Sequence, residues 1–491
     1  MTTTTWTNPA GGDFNTASNW NSGVPGPGET ALITASGTYT VTSSQLNTIA
    51  TLEMAKKATL EIEGSAFRLT SGTGTGALAG TITVTLNGAA EPGVLQLGAT
   101  SASTIFKNSG TIELLLAADI VVAGTATLID DGKIVLDGAD TIIGTGAFNG
   151  TLNNGSTSSR HTISGTGTIG DGSLTFVNAA KGIIDANGAS DTFASQNLDV
   201  DTASFTNSGL MEATGTGVLF LQSDVDQSAS GKMKTLASTT TSTGAEIALN
   251  NASIVNGSVS IAKGTSLQSV VGGTDEINTT TPIANAGTIQ AVDTSTLILS
   301  AVKNTATGDL TAGANSRIEV AETETGGTAN IDAGGEIFFA GPASAKVTFD
   351  GNGVLILNDA TKFTGSVAGL SSNLGAAIAL DNIPFADGPI VNPSAHMFTV
   401  TDPVTGIVDK INFVGSGNFI AHDGTGALAG TTLISDPPIG SASVADTSLL
   451  AQSMASIGAS GGLAGSGSGG VPGNHGSSDF LTANSLHLHH G

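Results

Sequence analysis

Along most of the chain, apolar and polar residues alternate in short runs, and the runs are broken by Asn, Gly and Ser. Phe205-Thr206-Asn207-Ser208-Gly209-Leu210-Met211 gives the unit: apolar, spacer, Asn, spacer, Gly, spacer, apolar. The same order returns from Phe106 to Ile112 around Asn108 and from Ile283 to Ile289 around Asn285. It returns with a looser middle from Phe176 to Ile184 around Asn178, and from Val302 to Leu310 around Asn304. The copies extend past the motif, since Val218-Leu219-Phe220-Leu221 follows Ala213 and Thr296-Leu297-Ile298-Leu299 follows Ala291. From Asn207 to Gln227, and from Asn285 to Asn304, is about twenty residues, the size of one coil of a repeating β-structure.

The alternation sends every second residue inward, while Asn and Gly tolerate the positive φ that turns require. One such coil cannot bury its own inner face. Stacked coils can, with strands about 4.8 Å apart and Asn side chains bonded to their equivalents above and below. The pattern therefore predicts an all-β fold, a right-handed parallel β-solenoid or β-helix over about residues 50 to 365. Asn108, Asn207 and Asn285 are expected at equivalent turns. A β-sandwich array also has short strands and Gly-rich turns, and is the competing architecture.

The chain divides into four segments by pattern. Residues 1–64 carry Trp6, Phe14, Trp20 and Tyr39 around Gly23-Val24-Pro25-Gly26-Pro27. They read as an N-terminal cap and first coils, with sugar stacking as the alternative role for the aromatics. Residues 65–365 read as solenoid repeats and 366–438 as a C-terminal β module. Residues 439–491 read as a short amphipathic helix over 447–457, a Gly/Ser linker and a secretion or anchoring tail. His487, His489 and His490 in that tail have a spacing that could hold a transition metal.

Charge narrows the partners. Lys and Arg number 15 against 40 Asp and Glu, a net charge of −25, which opposes nucleic acid and anionic lipid and favours cations. With no Cys there is no disulfide framework and no thiolate site. No apolar run is long enough to span a bilayer. Met1 to Trp6 shows neither the basic nor the apolar stretch of a cleaved export signal, which leaves a cytosolic place, export by a route that reads another signal, or a signal trimmed from this chain.

Several segments resemble a known family. Trp6, Gly12-Asp13-Phe14, Asn19-Trp20 and Gly23-Val24-Pro25 are similar to the N-terminal part of secreted β-strand-repeat surface proteins of alphaproteobacteria, which are related in style to autotransporter passengers and adhesins. Thr162 to Gly170, Asn178 and Ile184-Asp185-Ala186-Asn187 are similar to their repeats. Val347 to Phe349, Phe363 to Val367, and Asp423 to Gly426 before Asp436 are similar to their closing module. The resemblance implies export to the cell surface or medium, often through a type I system that reads an uncleaved C-terminal signal.

Candidate chemistry is sparse. Asp130, Asp131, Asp137 and Asp140 are the nearest candidates for divalent cation ligands, with Ca²⁺ the implied ion. Only Gly138 to Gly144 approaches a calcium-binding repeat, and only once. The same carboxylates, or Arg160 with His161, would be the groups of a polysaccharide-cleaving site. They read better as solvated turns and a polar loop, so no enzyme is expected. The functional expectation is an extracellular structural or adhesive protein that self-assembles into a fibre or surface layer. The alternative is a carbohydrate-binding or polysaccharide-degrading β-helix.

Overall fold

The computed structural model describes residues 1–145, 150–188, 197–237, 244–371, 375–415 and 417–436. The alternating pattern folds as expected into an all-β chain, 52% strand and 3% helix, wound as a parallel β-solenoid of about 15 turns. Most turns lay down a strand on each of three faces, and beyond Glu324–Thr325 the described strands alternate between two of them. Face one begins with Thr3–Thr5, Thr30–Ile33 and Thr51–Met54. Face two begins with Gly12–Asp13, Tyr39–Ser43 and Ala58–Glu63. Face three begins with Asn47–Ile49, Ala66–Leu69 and Val94–Leu97.

The alternation sets what each face buries. On face three the register stacks Leu198, Leu219, Ile247, Leu267, Ile289 and Leu310 directly above one another, all fully buried. Each such side chain contributes about 1.5–3 kcal/mol relative to leaving it in water. Residues between them point outward, as Thr288 and Gln290 do beside Ile289. Because the same residue class recurs at each level, a one-residue slip would expose a whole column.

Parallel pairing starts at Thr3, well before the expected onset near residue 50. Trp6, Phe14 and Trp20 lie inside the first coils. Trp6 and Trp20 meet edge to face at 5.1 Å, and Phe14 packs against Phe67 at 5.3 Å. Trp6 and Trp20 are 1% and 4% exposed, so neither is free to stack on a sugar. The outer edge of the first strand is blunted by Asn21, whose Oδ1 accepts from Thr5 N–H at 2.9 Å and whose N–H donates to the Thr5 carbonyl.

The C-terminal module reverses the strand direction at the other end. Ala377–Pro384 on face one pairs antiparallel with Thr431–Ser435, which pairs antiparallel with Ile420–Asp423. On face three, Val408–Val414 continues the stack but then pairs antiparallel with Met397–Thr401, and that strand with Ile390–Pro393. A small second core of Val354, Ile356, Ala379, Leu428 and Leu433 packs there. The reversal ends the parallel repeat. The expected helix over 447–457, Pro437-Pro438 and the His-containing tail lie outside the described residues.

Candidate functional site

The repeat asparagines are the most ordered polar feature of the shaft. Asn-x-Gly works locally: the Asn side chain turns back and its Oδ1 accepts the N–H of the Gly two residues on, at Asn108 with Gly110, Asn207 with Gly209 and Asn285 with Gly287. The amide nitrogen is left to bond up the stack. Asn154 Nδ2 donates to Asn178 Oδ1 at 2.9 Å, Asn178 to Asn207 at 2.8 Å, and Asn207 to Gln227 Oε1 at 3.1 Å. Each amide also donates to a backbone carbonyl, such as that of Leu210 for Asn178. All four side chains are fully buried.

One rung of this ladder is an imidazole. At the level of Asp130 the chain turns with φ of 80° and 60° at Asp130 and Asp131, and those side chains face outward. His161, one coil further on and directly before the face-two strand, fills the gap. Its Nδ1 lies 2.8 Å from Asn154 Oδ1 and its Nε2 3.0 Å from Asn108 Nδ2. Asn154 Oδ1 can only accept and Asn108 Nδ2 can only donate, so the ring is neutral with its proton on Nδ1. Burial pushes its pKa down to about 3, which agrees. The reading of Arg160-His161 as a polar loop holds for Arg160, which pairs with Asp131 in solvent, and fails for His161, which is 0% exposed.

Asn285 and Asn304 do not belong to this ladder. Asn178 and Asn207 end strands of face one, whereas Asn285 and Asn304 end strands of face two, one corner further round the coil. The expectation that Asn108, Asn207 and Asn285 share a turn is corrected accordingly. The second ladder is shorter. Asn285 Nδ2 donates to Asn304 Oδ1 and Asn304 Nδ2 to Glu324 Oε1, both at 2.8 Å. Glu324 ends it, its other oxygen accepting from the N–H groups of Ser344 and Ala345. The first ladder ends on Gln227, whose Nε2 is buried without a partner.

The four candidate cation ligands are split between corners. Asp130 and Asp131 sit between faces one and two; Asp137 and Asp140 sit between faces two and three, within the long strand Lys133–Gly144. Asp140 is fully buried, against the expectation of a solvated turn. Its oxygens accept from the N–H groups of Ala118 at 2.9 Å and Asp137 at 2.7 Å, so it caps a corner. Burial pushes its pKa up to about 6. Asp275 does the same work further along, accepting from Ala252 N–H and from Ser269 Oγ. Among the described residues no group of three or more His, Asp or Glu side chains converges.

Of the residues outside the expected set, Asn154, His161, Gln227 and Glu324 matter most. Asn154 was hidden because the loop from Gly155 to Arg160 separates it from the following strand. Gln227 and Glu324 occupy rungs with a different residue type, and only the register reveals them.

Two open grooves lie on adjacent faces. One, of about 390 Å³, runs over the corner between faces one and two and is lined by Arg160, Lys181, Ile183, Leu210, Lys232 and Lys234. The other, of about 550 Å³, lies against face one and includes Asp224, Asp226, Asn251 and Ser253. Farther along, Arg317 is buried between Glu319 and Glu336, at 3.2 Å from each. No helix among the described residues is long and apolar enough to cross a membrane. Comparison of the chain with protein-family models, with curated proteins and with solved structures returns no match.

Proposed function

We propose that the chain is an extracellular structural or adhesive rod that associates with copies of itself in a fibre or surface layer. The observation that carries this reading is the unbroken stack. About 15 turns at about 4.8 Å each make a shaft of about 70 Å, and its corners are tied by buried side-chain ladders. Such a body resists bending and presents long flat faces. The strand direction reverses at the C-terminal end and Asn21 covers Thr5 at the N-terminal end, which disfavours strand addition end to end and favours contact through the sides. The resemblance to secreted β-strand-repeat proteins supports a place outside the cell, with residues 439–491 as the export or anchoring tail.

The negative charge opposes lateral packing, and divalent cations such as Ca²⁺ between surface carboxylates of neighbouring copies would offset it. Sedimentation and negative-stain microscopy of the full chain, with calcium and with excess chelator, test the reading. Ordered polymers are expected, more of them with calcium. Monomers at high concentration in both conditions would overturn it, while polymers indifferent to chelator would remove only the cation.

A further inference from the structure

The chain has 15 Lys and Arg among 491 residues, yet Arg160, Lys181, Lys232 and Lys234 line one groove. They come from three coils, with the coil of Leu210 lying between Lys181 and Lys232. The register places Lys232 beside Leu210, and Leu210 beside Ile183, so the groove has an apolar floor with basic groups along it. Arg160 and Lys234 are partly neutralised by Asp131 and Glu212. Lys181 and Lys232 are exposed and have no carboxylate within ion-pair distance among the described residues.

Face one, around the corner and at overlapping height, has the opposite sign. Asp224 and Asp226 are exposed on Val225–Gln227 and its lead-in, and Glu276 is exposed two coils on. Asp226 accepts from Asn256 Nδ2 through one oxygen and Asp224 from Ser253 through one oxygen, which leaves the other oxygen of each, with Glu276, facing outward. No Lys or Arg stands on the described outer face of these strands.

We propose that the basic groove on faces one and two docks the acidic face one of a second copy, side by side. This deepens the assembly proposed above and rests on it. The two patches share only the coil of Asp226 and Lys232: the basic one extends two coils back to Lys181 and the acidic one two coils on to Glu276. Parallel shafts therefore meet with an axial stagger of two coils, about 10 Å, which sets Lys181 opposite Asp226 and Lys232 opposite Glu276. The contact is heterologous and carries that shift, so it grows into an open staggered sheet or helical filament and not a closed ring. Charge complementarity of this kind sets partner choice and register.

The test uses the full chain in low salt and two variants, Lys181→Glu with Lys232→Glu, and Asp226→Lys with Glu276→Lys. Each variant alone presents like charges to itself and is expected to associate at least tenfold more weakly than the wild type. An equimolar mixture is expected to co-assemble, because each variant then faces the reversed patch of the other. Added salt above about 0.3 M, where the Debye length falls well under 10 Å, should weaken the wild type. If both variants assemble as the wild type does, copies join elsewhere, and this contact is wrong while the rod reading stands. If each variant is weakened but the mixture does not recover, the contact is also wrong. A wild type that stays monomeric but binds dextran sulfate through the groove would assign the groove to an anionic polysaccharide and overturn the proposal.

Discussion

The imidazole of His161 is hydrogen-bonded to Asn108 at 3.0 Å across 53 positions of sequence. It reaches there because the intervening coil has Gly132 at that corner, where a Cβ would come within 2.6 Å of Asn108 Cγ. A side chain on one coil, a glycine on the next and an amide on the third thus form one unit. Replacing His161 with Leu leaves Asn154 Oδ1 and one of the two Asn108 Nδ2 hydrogens unpaired in a dry corner, while the other still reaches the Lys133 carbonyl. At about 1–3 kcal/mol for each unpaired buried group, His161→Leu should lose about 2–5 kcal/mol in urea unfolding.

The pH profile separates His161 from the buried carboxylates. The imidazole is held near 3 in the fold against an ordinary value of 6.5. The unfolded chain therefore takes up a proton first, and stability falls as pH drops below 6.5. The slope is about 1.4 kcal/mol per pH unit. Asp140 pulls the other way. Burial raises it to about 6 from 3.8, so the folded chain takes up that proton first and stability is recovered as pH falls through 6. Relative to the wild type, His161→Gln should gain about 2 kcal/mol between pH 6.5 and pH 5. A constant difference across that range would mean the ring takes up its proton in the fold as readily as in the unfolded chain.

The Asn-x-Gly turn is a donor–acceptor device, and reversing one group should break it. Asn207 donates through Nδ2 to Gln227 Oε1 and to the Lys232 carbonyl. In Asn207→Asp an oxygen would face those two oxygens in a buried corner. The expected loss is about 3 kcal/mol or more at pH 7, read by thermal unfolding. Asn392→Asp, at an exposed position of the strand Ile390–Pro393, should change stability by less than about 0.5 kcal/mol.

The strands and the coil size were legible because both follow from local alternation and local turn chemistry. Phe205-Thr206-Asn207 announces an inward aromatic, a solvent residue and a corner. The identity of the corner was not legible. Each coil has more than one turn, and Asn fits any of them equally well, so Asn207 and Asn285 look alike in sequence but stand on different ladders. His161 was missed for a related reason. It stands where the next coil has Gly182, and only the stack reveals that a ring can replace the missing rung. Asp140 reads as a turn acid and Glu324 draws no notice because burial by neighbouring coils leaves no local mark. The groove of Arg160, Lys181 and Lys232 draws residues from separate coils, which no short motif could display.

The ion triad at Arg317 gives the last prediction. The guanidinium bonds Glu319 and Glu336, lies 5.3 Å from the Phe338 ring centre, and leaves its own Nε buried and unpaired. Burial raises the Glu336 pKa even though Arg317 opposes the shift, so solvation already outweighs attraction there. Arg317→Met removes the cation and leaves two carboxylates in a buried site, which should cost about 3–5 kcal/mol at pH 7. Because burial already raises the Glu336 pKa and protonation relieves its buried charge, that cost should shrink as pH falls from 7 to 5. Arg317→Met with Glu319→Gln and Glu336→Leu removes every formal charge and should recover most of the loss. If the triple variant is as unstable as Arg317→Met at pH 7, the triad holds the shaft through its hydrogen bonds, and the account in terms of uncompensated charge is wrong.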